Sequence, residues 1–180
     1  MLALVDESIV IAGAGCYLLA CVVLPDDRRA KVRREVRRAA VGNHFHWKDE
    51  REDAQFRMLA VLAGGATRLF AHVRRPTVRR EHEGVRATLL NALLDDLAKT
   101  TTLDLLLESR QRVNDLKDRQ VIAGAVADHR ISSDINYGHS GPDQEPLLWL
   151  ADALAGAVMA QVRGDGKFVA SLPPGLLMVR

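Results

Sequence analysis

The sequence predicts a single α/β domain with a mixed central sheet flanked by helices, and three observations predict it. Two apolar strand-like segments open the chain around a glycine-containing turn, a pattern that favours antiparallel pairing. Segments with helical periodicity then alternate with short apolar strands. A final helix is almost free of charge, so its one ionisable residue, Asp152, is expected to lie among apolar neighbours.

Length and composition describe one globular domain over residues 1–180, with 164–180 as a C-terminal tail for which a terminal short strand or a packed arm stays open. The 180 residues suffice for one core and are few for two, and 48% hydrophobic with 27% charged residues excludes disordered and fibrous classes. No apolar run reaches the roughly 18 residues of a membrane span. Cys16 and Cys21 would point to opposite faces of one strand, so we expect no local disulfide or zinc knuckle and a reducing cytoplasmic location.

The first elements are a strand hairpin followed by a basic helix. Residues 2–5 form an apolar strand that ends at an Asp-Glu-Ser run, and residues 9–15, with two glycines, turn the chain. The continuous apolar run 16–24 is the antiparallel partner, ended by Pro25. Residues 27–41 have a narrow apolar seam of helical spacing inside a strongly basic surface, which predicts a helix.

The middle of the chain predicts two helices around a third strand. A short extended piece at 44–50 leads into a helix over 51–63, which two glycines end. The apolar run 67–73 follows as a core strand. Residues 78–99 then keep leucines at helical spacing over several turns, which predicts a long helix.

The last third predicts a strand, a helix, an edge strand and the acid-bearing helix. Residues 103–108 are apolar until they end in Glu108, and 115–128 have helical periodicity. An edge strand is predicted at 131–137 and a loop at 138–144. The helix over 145–162 has a proline in its first turn, where a missing N–H costs nothing.

Four acids occupy the positions where elements end or meet. Asp6 ends the first strand, Glu50 marks a strand-to-helix junction and Glu108 ends a later strand; Asp152 lies on the last helix. Burial of an unpaired carboxylate costs several kcal/mol or more, so Asp152 needs a hydrogen-bond donor, a proton or a cation. Gly156, one turn further, leaves space beside it for a metal, water or a strand.

The element order, with antiparallel strands first and an acid on the last helix, is that of the ribonuclease H-like fold. Five segments also resemble a bacterial family, the domain of unknown function 3800, which is assigned to the ribonuclease H-like superfamily. They are VDES at 5–8, YLLACVVLP at 17–25, FHWKDE at 45–50, LLESR at 106–110 and EPLLWLADALAGAV at 145–158. The chain departs from the family pattern in having Glu108 in place of Asp and no glycine directly after VDES.

The resemblance implies a metal site built from Asp6, Glu50, Glu108 and Asp152, with Glu7 and Lys48 close by. Such a site would use Mg²⁺ or Mn²⁺, hard cations that prefer oxygen ligands. Two ions about 3.5–4 Å apart can stabilise both the attacking and leaving oxygens of a phosphodiester. We therefore expect a metal-dependent nuclease or related phosphodiester-cleaving hydrolase acting on RNA, DNA or a hybrid.

Basic residues supply the expected nucleic-acid contacts, because Lys and Arg neutralise phosphates. They are Arg28, Arg29, Lys31, Arg33, Arg34, Arg37, Arg38, Arg74 and Arg75. A solvated helix surface is the alternative for this charge run.

Other classes of function stay open beside the nuclease. One is a catalytically silent nucleic-acid-binding or protein-interaction module of the same fold, and another is a metal-dependent phosphatase of small nucleotides. The sequence does not fix the oligomeric state, and a homodimer stays open. Asp115 and Asp118 are expected to be solvated helix residues. His44 and His46 are expected to pack or contact substrate, since no third zinc ligand accompanies them.

Overall fold

A six-stranded mixed sheet runs through the centre of the chain, which a computed structural model describes at residues 1–11, 13, 15–40, 42–102 and 104–180. The order of the strands across the sheet is β5-β4-β1-β2-β3-β6. The first three strands pair antiparallel in sequence order, whereas β4 joins β1, β5 joins β4 and β6 joins β3 in parallel. The strands are β1 (Leu2–Val10), β2 (Cys16–Leu24), β3 (Arg68–Arg74), β4 (Asp104–Glu108), β5 (Asn136–Ser140) and β6 (Leu177–Val179).

Helices cover both faces of the sheet, which confirms the predicted fold class. One apolar core lies between the sheet and α1, α2 and α5, and a second lies between the sheet and α3 and α4. Cys16 belongs to the first core and Cys21 to the second, and both are free thiols. The helices are α1 (Arg29–Ala39), α2 (Glu52–Gly65), α3 (His82–Leu97), α4 (Arg112–Ala127), α5 (Leu148–Val162) and the short α6 (Lys167–Ala170).

Strand β1 is longer than the predicted 2–5, and this changes the position of Asp6. The antiparallel ladder with β2 continues beyond Val5 through Asp6, paired with Ala20, to Val10, paired with Cys16. A polar run does not end a strand when a fully buried partner supplies its backbone hydrogen bonds. Asp6 therefore lies inside β1 and not at its end.

The last edge strand also differs from its prediction at 131–137. Parallel pairing with β4 sets β5 at 136–140, where Asp104 is opposite Asn136 and Glu108 is opposite Ser140. Ile131 and Ile135, which suggested a strand, are buried in the second core outside the sheet. The two isoleucines therefore indicate burial in the core and not pairing within the sheet.

The segment predicted as a tail packs against the domain. Its helix α6 buries Phe168 against the rings of Trp47 and Phe56, with centroids 4.8 and 5.0 Å away, and its strand β6 extends the sheet beside β3. Within the described ranges, no helix is long and apolar enough to cross a membrane.

Candidate active site

Three of the four predicted acids converge at one end of the sheet. Asp6 and Glu108 each follow the paired residues Val5 and Leu107 on the neighbouring parallel strands β1 and β4. Alternation along both strands directs their side chains to the face that α5 covers. Helix α5, which packs on this face, contributes Asp152. The three acids line a cavity of about 330 Å³. The full lining is Asp6, Glu7, His44, Phe45, His46, Arg86, Glu108, Arg110, Pro142, Trp149 and Asp152.

Burial and mutual repulsion act together on Asp6 and Glu108. Burial raises the pKa of Asp6 well above its usual range, the charges of Glu108 and Asp152 raise it further, and the N–H of Glu7, 2.7 Å from Asp6 Oδ1, opposes the rise. Burial and then Asp152 raise the pKa of Glu108, whose hydrogen bond with Asp6 opposes that rise. Two carboxylates so placed do not both ionise readily, and a proton or cation relieves them.

Asp152 has the hydrogen-bond donors that its burial requires. Its Oδ2 accepts the backbone N–H of Trp47 at 2.8 Å and lies 3.2 Å from Nδ1 of His46. Burial raises the pKa of Asp152, and these two contacts partly offset the rise. The segment before α2 therefore orients this carboxylate, and Oδ2 is its bonded oxygen.

The space beside Gly156 is filled by a side chain and not by metal, water or a strand. A Cβ at this position would overlap the indole ring of Trp47. The ring also meets Phe168 edge to face. Gly156 thus allows the turn at 47–49 to pack closely on α5, and this packing places the Trp47 N–H at Asp152.

Glu50 and Lys48 do not line the cavity, although their neighbours in the same segment do. Lys48 lies in a short 3₁₀ turn, Trp47–Asp49, and Glu50 directly follows it. Neither side chain makes a hydrogen bond or ion pair within the described part of the chain. His44 and His46, which alternate just before the turn, line the cavity.

A second charged cluster lies behind the first, on the α3 and α4 face of the sheet. Glu7, which points to this face from β1, accepts hydrogen bonds from Tyr17 and from Arg86. Arg86 is 2% exposed, and its Nε and Nη2 donate to Asp118 at 2.9 and 2.8 Å. Arg110 Nη2 approaches the same carboxylate at 3.1 Å, and His139 Nε2 at 3.3 Å.

The prediction that Asp118 is solvated is wrong, since Asp118 is 3% exposed. Burial alone would raise its pKa, but hydrogen bonds with His139 and Arg86 outweigh burial and hold the pKa well below its usual range. Asp115 is partly buried, and it accepts hydrogen bonds from the Arg110 N–H and the Ser109 hydroxyl. The signal was present: Asp118 precedes Ile122 and Ala125 by one and two helical turns and so shares their buried face.

Two of the predicted nucleic-acid-binding residues, Arg29 and Arg74, lie at opposite ends of the sheet. Arg29 pairs with Asp104 at the start of β4, at the end of the sheet away from the acids. Arg33 binds Glu145, just before α5, through Nε at 3.0 Å and Nη2 at 2.7 Å. Arg74 ends β3, which runs parallel to β1, so Arg74 and Arg75 lie at the same sheet edge as the acids.

The chemistry of the three carboxylates fits Mg²⁺ or Mn²⁺, but their arrangement does not yet form a binding group. Hard cations take carboxylate oxygens, and the repulsion among Asp6, Glu108 and Asp152 is of the sign that a cation relieves. Among the residues that the structure covers, however, no group of three or more His, Cys, Asp or Glu is placed to hold an ion. The three carboxylates therefore match Mg²⁺ or Mn²⁺ in their chemistry, without forming a ready ligand group among the described residues.

Two solved structures align with this chain. The ribonuclease H2 from Pyrococcus horikoshii OT3 aligns with 97% of this chain and 81% of its own, at a TM-score of 0.62 and 12% identity. Ribonuclease HII from Archaeoglobus fulgidus, solved in complex with PCNA, aligns over the same shares at a TM-score of 0.49 and 14% identity. The similarity to the Pyrococcus horikoshii structure shows that this chain has the ribonuclease H-like fold. The chain matches no protein-family model and no curated protein, so no model supports the resemblance to the domain of unknown function 3800.

Proposed function

We propose that this chain is a Mg²⁺- or Mn²⁺-dependent nuclease or related phosphodiester-cleaving enzyme of the domain of unknown function 3800 type. One observation carries the proposal: Asp6, Glu108 and Asp152 come from three separate elements to one cavity, where burial, and after it the charges of the neighbouring carboxylates, raise the pKa values of Asp6 and Glu108. Strongly perturbed carboxylates in a cleft are typical of functional sites. Without a cation, this cluster costs stability.

The three carboxylates are the proposed metal ligands, and the residues around them have positioning roles. A bound divalent ion would polarise the phosphate and lower the pKa of its water. Asp6 and Glu108 must give up their protons to bind it, so we expect binding to weaken as the pH falls. Trp47 N–H and His46 hold Oδ2 of Asp152, which orients the carboxylate toward the cavity.

Glu50 and Lys48 have a smaller part in the proposal than in the sequence-based expectation. Neither lines the cavity in this structure, so three ligands come from this chain and Glu50→Gln is expected to weaken metal binding less than Asp6→Asn. Nucleic acid is the proposed substrate, with Arg74 and Arg75 at the sheet edge as phosphate contacts.

The decisive experiment compares cleavage and metal binding in the same proteins. Wild type, Asp6→Asn and Asp152→Asn are incubated with RNA, DNA, hybrid or mononucleotide substrates in Mg²⁺, Mn²⁺ or chelator, and thermal stability is followed against Mg²⁺ concentration. We expect wild type to cleave only with metal, and both variants to lose about 100-fold or more of the activity and most of the Mg²⁺-dependent stabilisation. Asp128→Asn, at an exposed acid directly after α4, is the control. Activity that survives in both variants would refute the assignment.

A second candidate is a catalytically silent nucleic-acid-binding module, and the lack of a ready ligand group in the described residues favours it. It predicts that oligonucleotides bind without cleavage in either metal. Cleavage of mononucleotides alone would instead support the small-nucleotide phosphatase.

A further inference from the structure

The turn that carries Trp47 is held in place by contacts from the helices α2, α5 and α6. The indole ring lies over Gly156 of α5 and meets the ring of Phe168 in α6 edge to face, with the centroids 4.8 Å apart. The backbone oxygen of Trp47 accepts a hydrogen bond from Nε2 of Gln55 in α2 at 2.8 Å. These contacts fix the backbone N–H of Trp47, which lies 2.8 Å from Oδ2 of Asp152.

Phe168 is the part of this support that comes from the segment after α5. Its ring is 6% exposed and also contacts the ring of Phe56, whose centroid is 5.0 Å away. The neighbouring Lys167 pairs with Glu52 at 2.6 Å, but these side chains are 43% and 59% exposed, and exposed ion pairs contribute little to stability. The buried ring is therefore the contact through which α6 acts on the turn.

We propose that Phe168 is a positioning residue for the carboxylate of Asp152 and acts through Trp47. This inference rests on the proposed function and deepens it, because it assigns a residue of the segment after α5 to the support of the metal site. Without the Phe168 ring, the indole loses its edge-to-face partner and the turn is free to move away from α5. Both contacts of Oδ2 then loosen, since His46 Nδ1, at 3.2 Å, belongs to the same segment as the Trp47 N–H.

Phe168→Leu tests this role, because it removes the ring and keeps an apolar side chain in the core. Residues that orient a metal ligand typically contribute about 10–100-fold to metal affinity, and Phe168 acts one contact further from the ligand. We therefore expect the Kd for Mg²⁺ to rise about fivefold or more, measured by calorimetric titration well below the unfolding temperature. Hydrogen exchange of the Trp47 N–H should also accelerate, relative to amides in the middle of α2.

Two variants in the same segment separate this role from a general loss of packing. Leu172→Ala removes buried apolar atoms from the same core, where Leu172 is 7% exposed, and leaves both rings in place. Lys167→Gln removes the exposed ion pair beside Phe168. Both variants should keep the wild-type Kd for Mg²⁺ and the wild-type relative exchange at Trp47. Phe168→Met, with a flexible side chain that fills irregular gaps, serves as the test if Phe168→Leu does not fold.

Unchanged exchange at Trp47 in Phe168→Leu would overturn the positioning role, and so would equal acceleration in Leu172→Ala. Faster exchange with an unchanged Kd for Mg²⁺ would overturn it as well, because the donor would then have no influence on the ligand. The proposed function fails separately, if wild type binds no Mg²⁺ or if metal-dependent cleavage survives Asp6→Asn. In that case the exchange at Trp47 decides by itself whether Phe168 holds the donor to Asp152.

Discussion

Asp6 is the carboxyl group on which the negative charges of the other acids in the site act together. Burial comes first among the causes that raise its pKa, followed by the charges of Glu108 and Asp152 and more weakly that of Glu7. Active-site residues are often kept at a cost to stability, since function requires charges that a core would exclude. The cost at Asp6 can be measured without any knowledge of the substrate.

Asp6→Asn is expected to stabilise the metal-free protein at pH 8. Because the folded pKa of Asp6 is raised above its unfolded value of about 3.9, the folded state binds the proton more tightly. Wild type therefore loses stability as the pH rises from that value through the folded pKa. Asn keeps the oxygen that accepts the Glu7 N–H and does not ionise. Urea unfolding in chelator should show a gain of about 1 kcal/mol or more at pH 8 and almost none at pH 4. Equal effects at both pH values would contradict the shift.

At the scale of elements, the site depends on how the turn at 47–49 packs against α5. The Trp47 ring fills the space above Gly156, and its backbone N–H reaches Asp152. A methyl group at residue 156 must move this ring, and overpacking of a core typically costs about 1–3 kcal/mol.

Gly156→Ala should therefore destabilise the protein by about that amount and weaken binding of Mg²⁺, because the donor to Asp152 moves. Gly124→Ala is the matched control: it is also a helical glycine, but nothing lies within 4 Å of its added Cβ. Alanine is a better helix former than glycine, so this control should gain about 0.5–1 kcal/mol. Thermal unfolding of both variants gives the comparison, and a stabilised Gly156→Ala would contradict the packing.

The helices α3 and α4 are joined by the ion pair of Arg86 and Asp118 under the sheet. Removal of one partner of a buried pair leaves the other charge uncompensated, at a cost of about 3–5 kcal/mol.

Asp118→Asn should lower the unfolding free energy at pH 7 by about that amount, measured by urea denaturation. The depressed folded pKa means that the stabilisation is present above the unfolded pKa and is lost as the pH falls toward the folded value. The deficit should therefore persist at pH 5. Asp128→Asn, at an exposed position directly after the same helix, should change little, and a similarly small effect at Asp118 would contradict the burial of the pair.

At the scale of the whole molecule, the direction of the strands decides which charges share an edge. The strands β1, β3 and β4 run in the same direction, so Arg74 and Arg75 lie toward the same end of the sheet as Asp6 and Glu108. Arg74 is level with Ile9, three residues beyond Asp6 along the strands. Neither arginine has a carboxylate partner in the described part of the chain. An extended polyanion at the cavity could therefore pass over both.

Replacement of Arg74 and Arg75 by Gln should lower oligonucleotide affinity and its dependence on salt. Each lost phosphate contact reduces the magnitude of the slope of log K against log salt by about 0.7–0.9. The slope of the double variant should therefore be smaller in magnitude by about 1.4–1.8. Arg68→Gln, at the opposite end of the same strand, is the control and should retain the wild-type slope. Fluorescence anisotropy over a range of salt concentrations gives both values, and an unchanged slope in the double variant would exclude this edge as the binding path.

The sequence alone determined the kind and order of the elements from β1 to α5, although not the bounds of β5 nor the elements α6 and β6, and it singled out three acids that line one cavity. Hydrophobic periodicity reports neighbours along the chain, which was enough for α5, β2 and the hairpin, and for Glu108 at the end of β4. Only the tertiary structure decided that Asp6 lies within β1, that Glu50 lies outside the cavity, and that Arg86 and Asp118 are buried together. These outcomes depend on strand register and on contacts between residues far apart in the chain, such as Trp47 with Asp152. No local pattern specifies such contacts, because the partner that satisfies a buried charge is selected by folding and not by proximity in sequence.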